Sequence, residues 1–435
     1  MPASLHVWMN GRHVGVWTHS PGTSSFQYDP VWAAAPDRRR LSLSLDFQPG
    51  NAARKGAVVE SYFDNLLPDS ETIRKRLQSR FGTPSREPFD LLAAIGRDCI
   101  GAVQLLPAGE EPAAVEKITA VPLDAAEVEQ AISAALSDGR GLGQADDEDF
   151  RISLAGAQEK TALLRYKDRW CRPLGATPTT HIFKLPLGIV GNLQVDLSDS
   201  VENEWLCLKL LAALGLETAH AEVAHFGKHR VLVVERFDRV WQGTKWIARR
   251  PQEDFCQALG IAGWKKYENQ GGPGMDAILH VLAFSAEAAR NRRDFVKAQI
   301  LFWLLAATDG HAKNFSLFHE TGGAYRMTPF YDVLSVWPVM GPKAHQVPWQ
   351  KATLAMAVRA TNAHWKLKDI RPRHWSAVAK QAGLGKADTL IHEILSLVPA
   401  AVSSVGNLLP KKFPAHVSDK IFSGIEQQAK ILAAG

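Results

Sequence analysis

The sequence predicts a mixed α+β protein in which a β-rich part precedes a helical one. Two observations carry this. Segments with a two-residue apolar–polar alternation, bounded by turn residues, crowd the first 250 positions. Beyond residue 250 the apolar residues recur at helical spacing, with predicted helices at 275–290, 294–308, 374–382, 387–398 and 416–432. Such a division points to two lobes with a cleft between them.

The elements follow in order. "LHVWMNGRHVGVWTHS" reads as two strands around an Asn10-Gly11 turn. "RRLSLSLDF" (39–47) alternates as a third strand would. "DSETIRKRLQSRFG" has an acidic first turn and a glycine stop, so it reads as a helix, and "GAVQLLP" closes the first part, 1–107. Residues 108–148 are acidic and rich in Ala, Gly and Pro, a linker with one amphipathic helix near 124–137. A second β-rich part, 149–248, opens with "FRISLAGAQEKTALLRY", read as strand, small-residue loop and strand. "HIFKLP" is a short strand. In "LSDSVENEWLCLKLLAALGL", Ser200 is placed to cap a helix with an apolar stripe at Leu206, Leu210, Leu211 and Leu214. "HAEVAHFGKHRVLVVERFDR" is a hairpin turning at Gly227-Lys228, and 249–435 is the helical part.

Composition bounds the answer. The chain has 435 residues, room for two to four units at about 100–200 residues each. It is 46% hydrophobic and 22% charged, ordinary for a globular protein with a sizeable core. No apolar run is read as approaching the roughly 18 residues of a membrane span, and the N-terminus lacks a basic segment followed by an apolar one, so no membrane association and a cytoplasmic location are expected. Cys99, Cys171, Cys207 and Cys256 are far apart, which argues against a zinc site or a disulfide framework. Net charge is +5, but residues 341–435 hold 13 Lys and Arg against five Asp and Glu, an excess of eight that leaves −3 for the first 340 residues. A basic C-terminal quarter fits an anionic partner, and equally a solvated helix face.

One stretch concentrates chemistry. After the apolar run "AQILFWLLAA" comes "TDGHAKNF", which packs Asp309, His311, Lys313 and Asn314 into six positions. Phosphoryl transfer needs a carboxylate to orient and deprotonate the attacking hydroxyl, oxygen ligands that hold Mg²⁺ on the phosphates, and a strand lysine steadied by a helix glutamate. Asp309 and Asn314 stand five residues apart, the spacing of a kinase catalytic loop, with the Asp as base and the Asn on the metal. Asp332, in "TPFYDVLS", lies 23 residues beyond Asp309, where a kinase-like chain carries its metal-chelating Asp, although Tyr-Asp-Val replaces Asp-Phe-Gly. Lys184 sits in "HIFKLP", and Glu204 follows 20 residues later on a helix, with Glu202 the rival for its role. The small-residue loop containing Gly156 could offer backbone N–H groups to phosphate, but it is neither a Walker loop nor a protein-kinase glycine loop. Each element alone is common; their order and spacing together are not.

These motifs resemble those of the HipA family, the Ser/Thr kinase toxins of bacterial toxin–antitoxin pairs. The resemblance is carried by "RISLAGAQEKTALL", "TPTTHIFKLP", "ERFDR", "RPQEDFCQALG", "KYENQGGPG", "ATDGHAKNFSLF" and "TPFYDVLS". "FDNLLPDSE" and "GRDCIGAVQLLP" extend it to the N-terminal part. It implies a two-lobed kinase-like fold closer to lipid kinases, which also place a His two residues after the catalytic Asp. It implies ATP and Mg²⁺ as cofactors. Asp309 carries over as base, Asn314 and Asp332 as metal ligands, and Lys184 as a phosphate contact. Glu235 and Phe237 match the adenine hinge, and Gln252 and His311 further nucleotide contacts. Ser153 matches a self-phosphorylated serine. The implied partners are a HipB-like helix-turn-helix antitoxin and operator DNA, with Lys380 as the one DNA contact singled out, and the implied substrate is glutamate–tRNA ligase. A sugar-like small-molecule kinase of related fold, or a catalytically silent DNA-bound co-repressor, are the competing expectations.

Overall fold

The computed structural model describes residues 3–20, 22–136 and 152–434. The chain forms two compact units, each drawn from separated stretches. The first comprises 1–185, 224–264 and 316–325; the second comprises 186–223, 265–315 and 326–435.

In the first unit the Asn10-Gly11 pair turns the chain as expected. Both residues have positive φ, 49° and 78°, which an Asn-Gly pair tolerates. Strands Ala3–Met9 and Arg12–Ser20 pair antiparallel, and a five-stranded sheet forms in the order Arg54–Lys55, Thr23–Tyr28, Arg12–Ser20, Ala3–Met9, Val103–Pro107. Helices Ala57–Asp64 and Pro88–Ile95 cover it. Trp17 stacks on Phe63 with ring centroids 4.0 Å apart, and Val7, Phe26, Tyr62, Leu92 and Leu105 complete a buried core. Helix Glu71–Phe81 starts at the Ser70 cap and stops at Gly82, whose φ is 65°.

The segment 39–47 is not a strand, contrary to its alternation. Its amides are taken by side chains: Leu41 N donates to the Tyr28 hydroxyl, Leu43 N to Glu253 Oε1 and Ser44 N to Ser42 Oγ. Leu41 and Leu45 still bury their side chains, so the apolar pattern reports burial without a ladder.

A six-stranded sheet runs Ala221–Phe226, His229–Glu235, His181–Lys184, Lys160–Tyr166, Arg169–Pro173, Ala120–Pro122. The last strand arises within the stretch expected to be linker. Helix Ala125–Leu136 packs Val128 and Ile132 against Leu163, Phe183 and Val231 of this sheet. The strand expected before the small-residue loop reduces to a single bridge at Ile152, opposite Asp98; residues 137–151 lie outside the described ones.

The second unit is a helical assembly with two hairpins among the described residues, Gly188–Val190 with Val195–Leu197 and Thr353–Arg359 with Ala363–Lys366. Its helices are Ser200–Ala213, Met275–Leu282, Ala288–Leu304, Pro372–Gln381, Asp388–Gly406 and Ala415–Ala433. Ser200 does not cap its helix: Asp199 stands at the N-cap position, and Ser200 Oγ accepts from Leu187 N at 2.9 Å. The helix expected to end at 398 continues through Pro399 to Gly406. By length and composition this helix could span a membrane, mean hydropathy 1.4 over 18 residues, which corrects the expectation that no segment approaches such a span. It packs on Ser200–Ala213 and Ala415–Ala433 through Leu390, Ile391, Ile394, Val398, Ala401 and Val405. Helical content beyond residue 250 is also interrupted by strands Gln252–Asp254, Ser316–His319 and Tyr325–Met327.

Candidate active site

In the second unit, helix Ala288–Leu304 is buried from Phe295 to its end, so the chain must turn sharply where it leaves the core. It does so at Ala306, whose φ of 49° is costly for a residue with a Cβ. Ala307 N bonds back to Phe302 O at 2.8 Å and closes the helix. Asp309 then stands exposed on a turn, with its carbonyl accepting from His311 N at 2.8 Å. Gly310 is dictated by packing: a Cβ there would lie 2.5 Å from the Phe302 ring. His311 is buried, its Nε2 3.9 Å from Asp309 Oδ2.

A single 3-10 turn, Ala312–Asn314, buries Asn314. Its Nδ2 donates to the Asp332 carboxylate at 3.1 Å and to the Asp332 carbonyl at 3.2 Å. Its Oδ1 is buried with no hydrogen-bond partner among the described residues. Asp332 itself has φ 59°, a left-handed conformation that costs free energy unless the surroundings impose it. They do. Phe330 bonds to Glu217 O and Ala219 N, the Tyr331 hydroxyl donates to Lys313 O at 2.9 Å, and Ser335 is held by Asn203 and by Leu305 O. The amide oxygen without a donor and the carboxylate beside it form a pair of hard oxygen ligands. That pair fits Mg²⁺, which takes one or two carboxylates and completes its shell from phosphates and water. Among the described residues no group of three His, Cys, Asp or Glu forms a denser cage.

Sequence reasoning misses one residue here. The Tyr267 hydroxyl donates to Asp309 Oδ1 at 2.5 Å. The signal lies in the motif "KYENQGGPG", to which spacing alone assigns no role.

The first unit holds most of the remaining residues. Lys184 ends strand His181–Lys184, buried, with Lys160 and Leu232 as its cross-strand neighbours. Glu235 ends the adjacent strand opposite His181 and is exposed. Phe237 meets Phe318 edge-on at 5.7 Å. Gln252 is buried in the strand paired with Ser316–His319, and its Oε1 has no partner among the described residues. Gly156 has φ 108°, open to glycine, and its carbonyl accepts from Asp69 N at 3.0 Å. Ser153 is fully buried: Oγ donates to Leu66 O at 2.7 Å and its N–H to Asp98 O at 3.2 Å.

Between Glu235 and Phe237, Arg236 enters a buried ionic cluster. Asp98 accepts from Arg236, Arg239 and Arg249 at 3.4, 2.8 and 3.2 Å, and from the Thr179 amide and hydroxyl at 3.0 and 2.7 Å. Asp238 binds Arg236 at 2.9 and 3.0 Å and accepts from Gly101 N at 2.6 Å. Burial opposes the charge on Asp98, but the three guanidinium groups overcome it and hold its carboxyl below the usual range. Burial, reinforced by Arg236, pushes Arg239 down to about 10.

The structure therefore brings Asp309, His311, Asn314 and Asp332 together in one unit and places Lys184, Glu235, Phe237, Gln252, Gly156 and Ser153 in the other. Glu202 and Glu204, both buried, and Lys380, exposed on Pro372–Gln381, belong to the second unit with the 309–314 loop.

Family comparison gives two matches in chain order, the HipA N-terminal domain over residues 5–106 and the HipA-like C-terminal domain over 152–403. The chain belongs to the HipA family. A relative from Sinorhizobium fredii, named "Putative kinase Y4mE", is 31% identical over 412 residues, covering 93% of this chain and 91% of that one. The serine/threonine-protein kinase toxin HipA of Shewanella oneidensis is 30% identical over 296 residues, 64% of this chain and 63% of that one. The solved structure of Shewanella oneidensis HipA, in a complex with HipB and its operator DNA, superposes with a TM-score of 0.78 at 24% identity, covering 99% of this chain and 98% of that one. The fold is thus that of HipA, α+β, two-lobed and kinase-like, and the chain is a member of a kinase family.

Proposed function

We propose that the chain is an ATP- and Mg²⁺-dependent protein serine/threonine kinase and the toxin of a toxin–antitoxin pair. The observation that carries this reading is the Asn314–Asp332 pair beside Asp309: a buried amide oxygen without a donor, a carboxylate in an imposed left-handed backbone and an exposed carboxylate on the same loop. In this reading Asn314 and Asp332 hold Mg²⁺, which neutralises charge on the phosphates. Asp309 accepts the proton of the attacking serine or threonine hydroxyl. The hydroxyl oxygen bonds to the γ-phosphorus, the bond from that phosphorus to the bridging β-phosphate oxygen breaks, and ADP leaves. Lys184 contacts phosphate, and Glu235, Phe237, Gln252 and His311 serve the nucleotide, with Glu204 as the partner of Lys184 and Gly156 in the loop over the phosphates.

The same reading makes Ser153 a self-phosphorylation site and glutamate–tRNA ligase the target. A HipB-like antitoxin would be the partner, with co-repression on operator DNA assisted by basic C-terminal residues such as Lys380, in the cytoplasm. The test is incubation of purified chain with γ-labelled ATP and Mg²⁺, alone and with glutamate–tRNA ligase. Label on serine in the chain or the ligase, abolished by Asp309→Asn, supports the reading; label on neither overturns it.

A further inference from the structure

We propose that Tyr267 is a positioning residue for the base, fixing the Asp309 carboxylate for phosphoryl transfer through its phenol. This rests on the kinase reading above. The contact is an O–H donor against a carboxylate oxygen at 2.5 Å, the length of a charge-assisted bond. It matters because Asp309 is exposed on a turn, where a carboxylate otherwise samples several rotamers.

The segment that carries Tyr267 is itself locked. Gly271 and Gly272 close a tight turn after the 3-10 helix Glu268–Gln270: Gln270 N and Gly272 N both donate to Tyr267 O at 3.0 Å. No side chain fits at 272, since a Cβ there would lie 1.9 Å from Lys265 O. The next residue back is tied to the catalytic loop, with Ala312 N donating to Lys266 O at 3.3 Å. The next residue forward, Glu268, anchors the turn to strand Thr353–Arg359 by accepting from Ala357 N at 2.6 Å and pairing with Arg359. The Tyr267 ring stands edge-on to His311, centroids 5.0 Å apart. A turn fastened at three points thus presents one hydroxyl to the one exposed carboxylate of the loop. The motif "KYENQGGPG" acquires a physical reading: the glycines shape the turn, the glutamate anchors it, and the tyrosine holds the base.

The experiment is the rate of self-phosphorylation by Mg·ATP, followed by intact mass across a range of ATP concentrations, for the unsubstituted chain, Tyr267→Phe and Asp309→Asn. Phe keeps the ring against His311 and removes only the donor. The expected result is a maximal rate lowered about tenfold to a hundredfold, the range for a hydrogen bond to a charged group, with half-saturating ATP and melting temperature unchanged. An undiminished maximal rate in Tyr267→Phe, while Asp309→Asn is inactive, overturns the positioning role and leaves the kinase reading standing. A rise in half-saturating ATP without a fall in maximal rate also overturns it, because the tyrosine would then act on nucleotide binding. If Asp309→Asn retains full activity, or the unsubstituted chain phosphorylates neither itself nor added glutamate–tRNA ligase, the kinase reading falls and the proposal with it.

Discussion

Replacing Asp98 by asparagine should destabilise the first unit severely. The buried cluster holds three arginines and two aspartates, Arg236, Arg239, Arg249, Asp98 and Asp238, with side chains 9% exposed or less. Its formal charge is +1. The substitution raises that to +2 and turns an amide toward guanidinium groups that need an acceptor. Removing one partner of a buried ion pair costs about 3–5 kcal/mol, because the remaining charge stays desolvated. Here three cations lose one shared anion, so the upper part of that range is expected. The sign with pH follows from the direction of the Asp98 shift. A carboxyl held below its ordinary value contributes stability that is complete above about pH 4, the unfolded carboxylate value, and is lost as acid protonates the folded form. The gap between the two proteins should therefore be constant from about pH 5 to 8 and narrow below about pH 4. Urea unfolding followed by tryptophan fluorescence measures it, since Trp17 and Trp32 lie in the core of the same unit. A loss below about 1 kcal/mol at pH 7, or a gap that widens in acid, would refute the claim that these contacts are electrostatically coupled.

Three further outcomes are expected. Asp332→Asn should lower phosphoryl transfer about 100-fold or more, recovering in part at high Mg²⁺ concentration; near-normal turnover at ordinary Mg²⁺ would refute the proposed metal role of Asp332. Gly310→Ala should cost about 1–3 kcal/mol in thermal unfolding, because the new methyl meets the buried Phe302 ring at 2.5 Å, and an unchanged melting temperature would show that the ring yields freely. Phosphate on Ser153 cannot remain where Oγ now meets Leu66 O with no exposure, so the modified chain should be cut faster by protease near residues 152–160; equal cleavage of both forms would count against release of the segment.

Much of the fold is legible because local chemistry and tertiary structure agree. The Asn10-Gly11 turn, the Ser70 cap and the Gly82 stop each need only their immediate neighbours, and each forms as the sequence leads one to expect. The failures share a different cause. Segment 39–47 alternates like a strand, yet its amides are claimed by Tyr28 and by Glu253, a residue more than 200 positions away. The helix expected to end at 398 runs on through Pro399, because it buries six apolar side chains against its neighbours and that packing outweighs the lost hydrogen bond.

The candidate site divides along the same line. The residues proposed to face chemistry are constrained in type: the kinase catalytic loop uses a carboxylate as base, Mg²⁺ takes hard oxygens, and the candidates keep a spacing that the sequence displays. Residues that hold those groups in place are constrained by geometry, and their partners are distant in the chain. Tyr267 reaches Asp309 across 42 positions, and Asp98 reaches Arg236 across 138. Neither has a spacing to recognise. Both nonetheless fall inside motifs, "KYENQGGPG" and "GRDCIGAVQLLP", whose glycines are the clue. Gly272 has no room for a Cβ against Lys265 O, and Gly101, at φ 74°, would place one 2.8 Å from Gln252 O. A glycine fixed by contact with other backbone marks where a supporting segment is pressed against its neighbours, so in this chain the supports announce themselves through what the residues beside them lack.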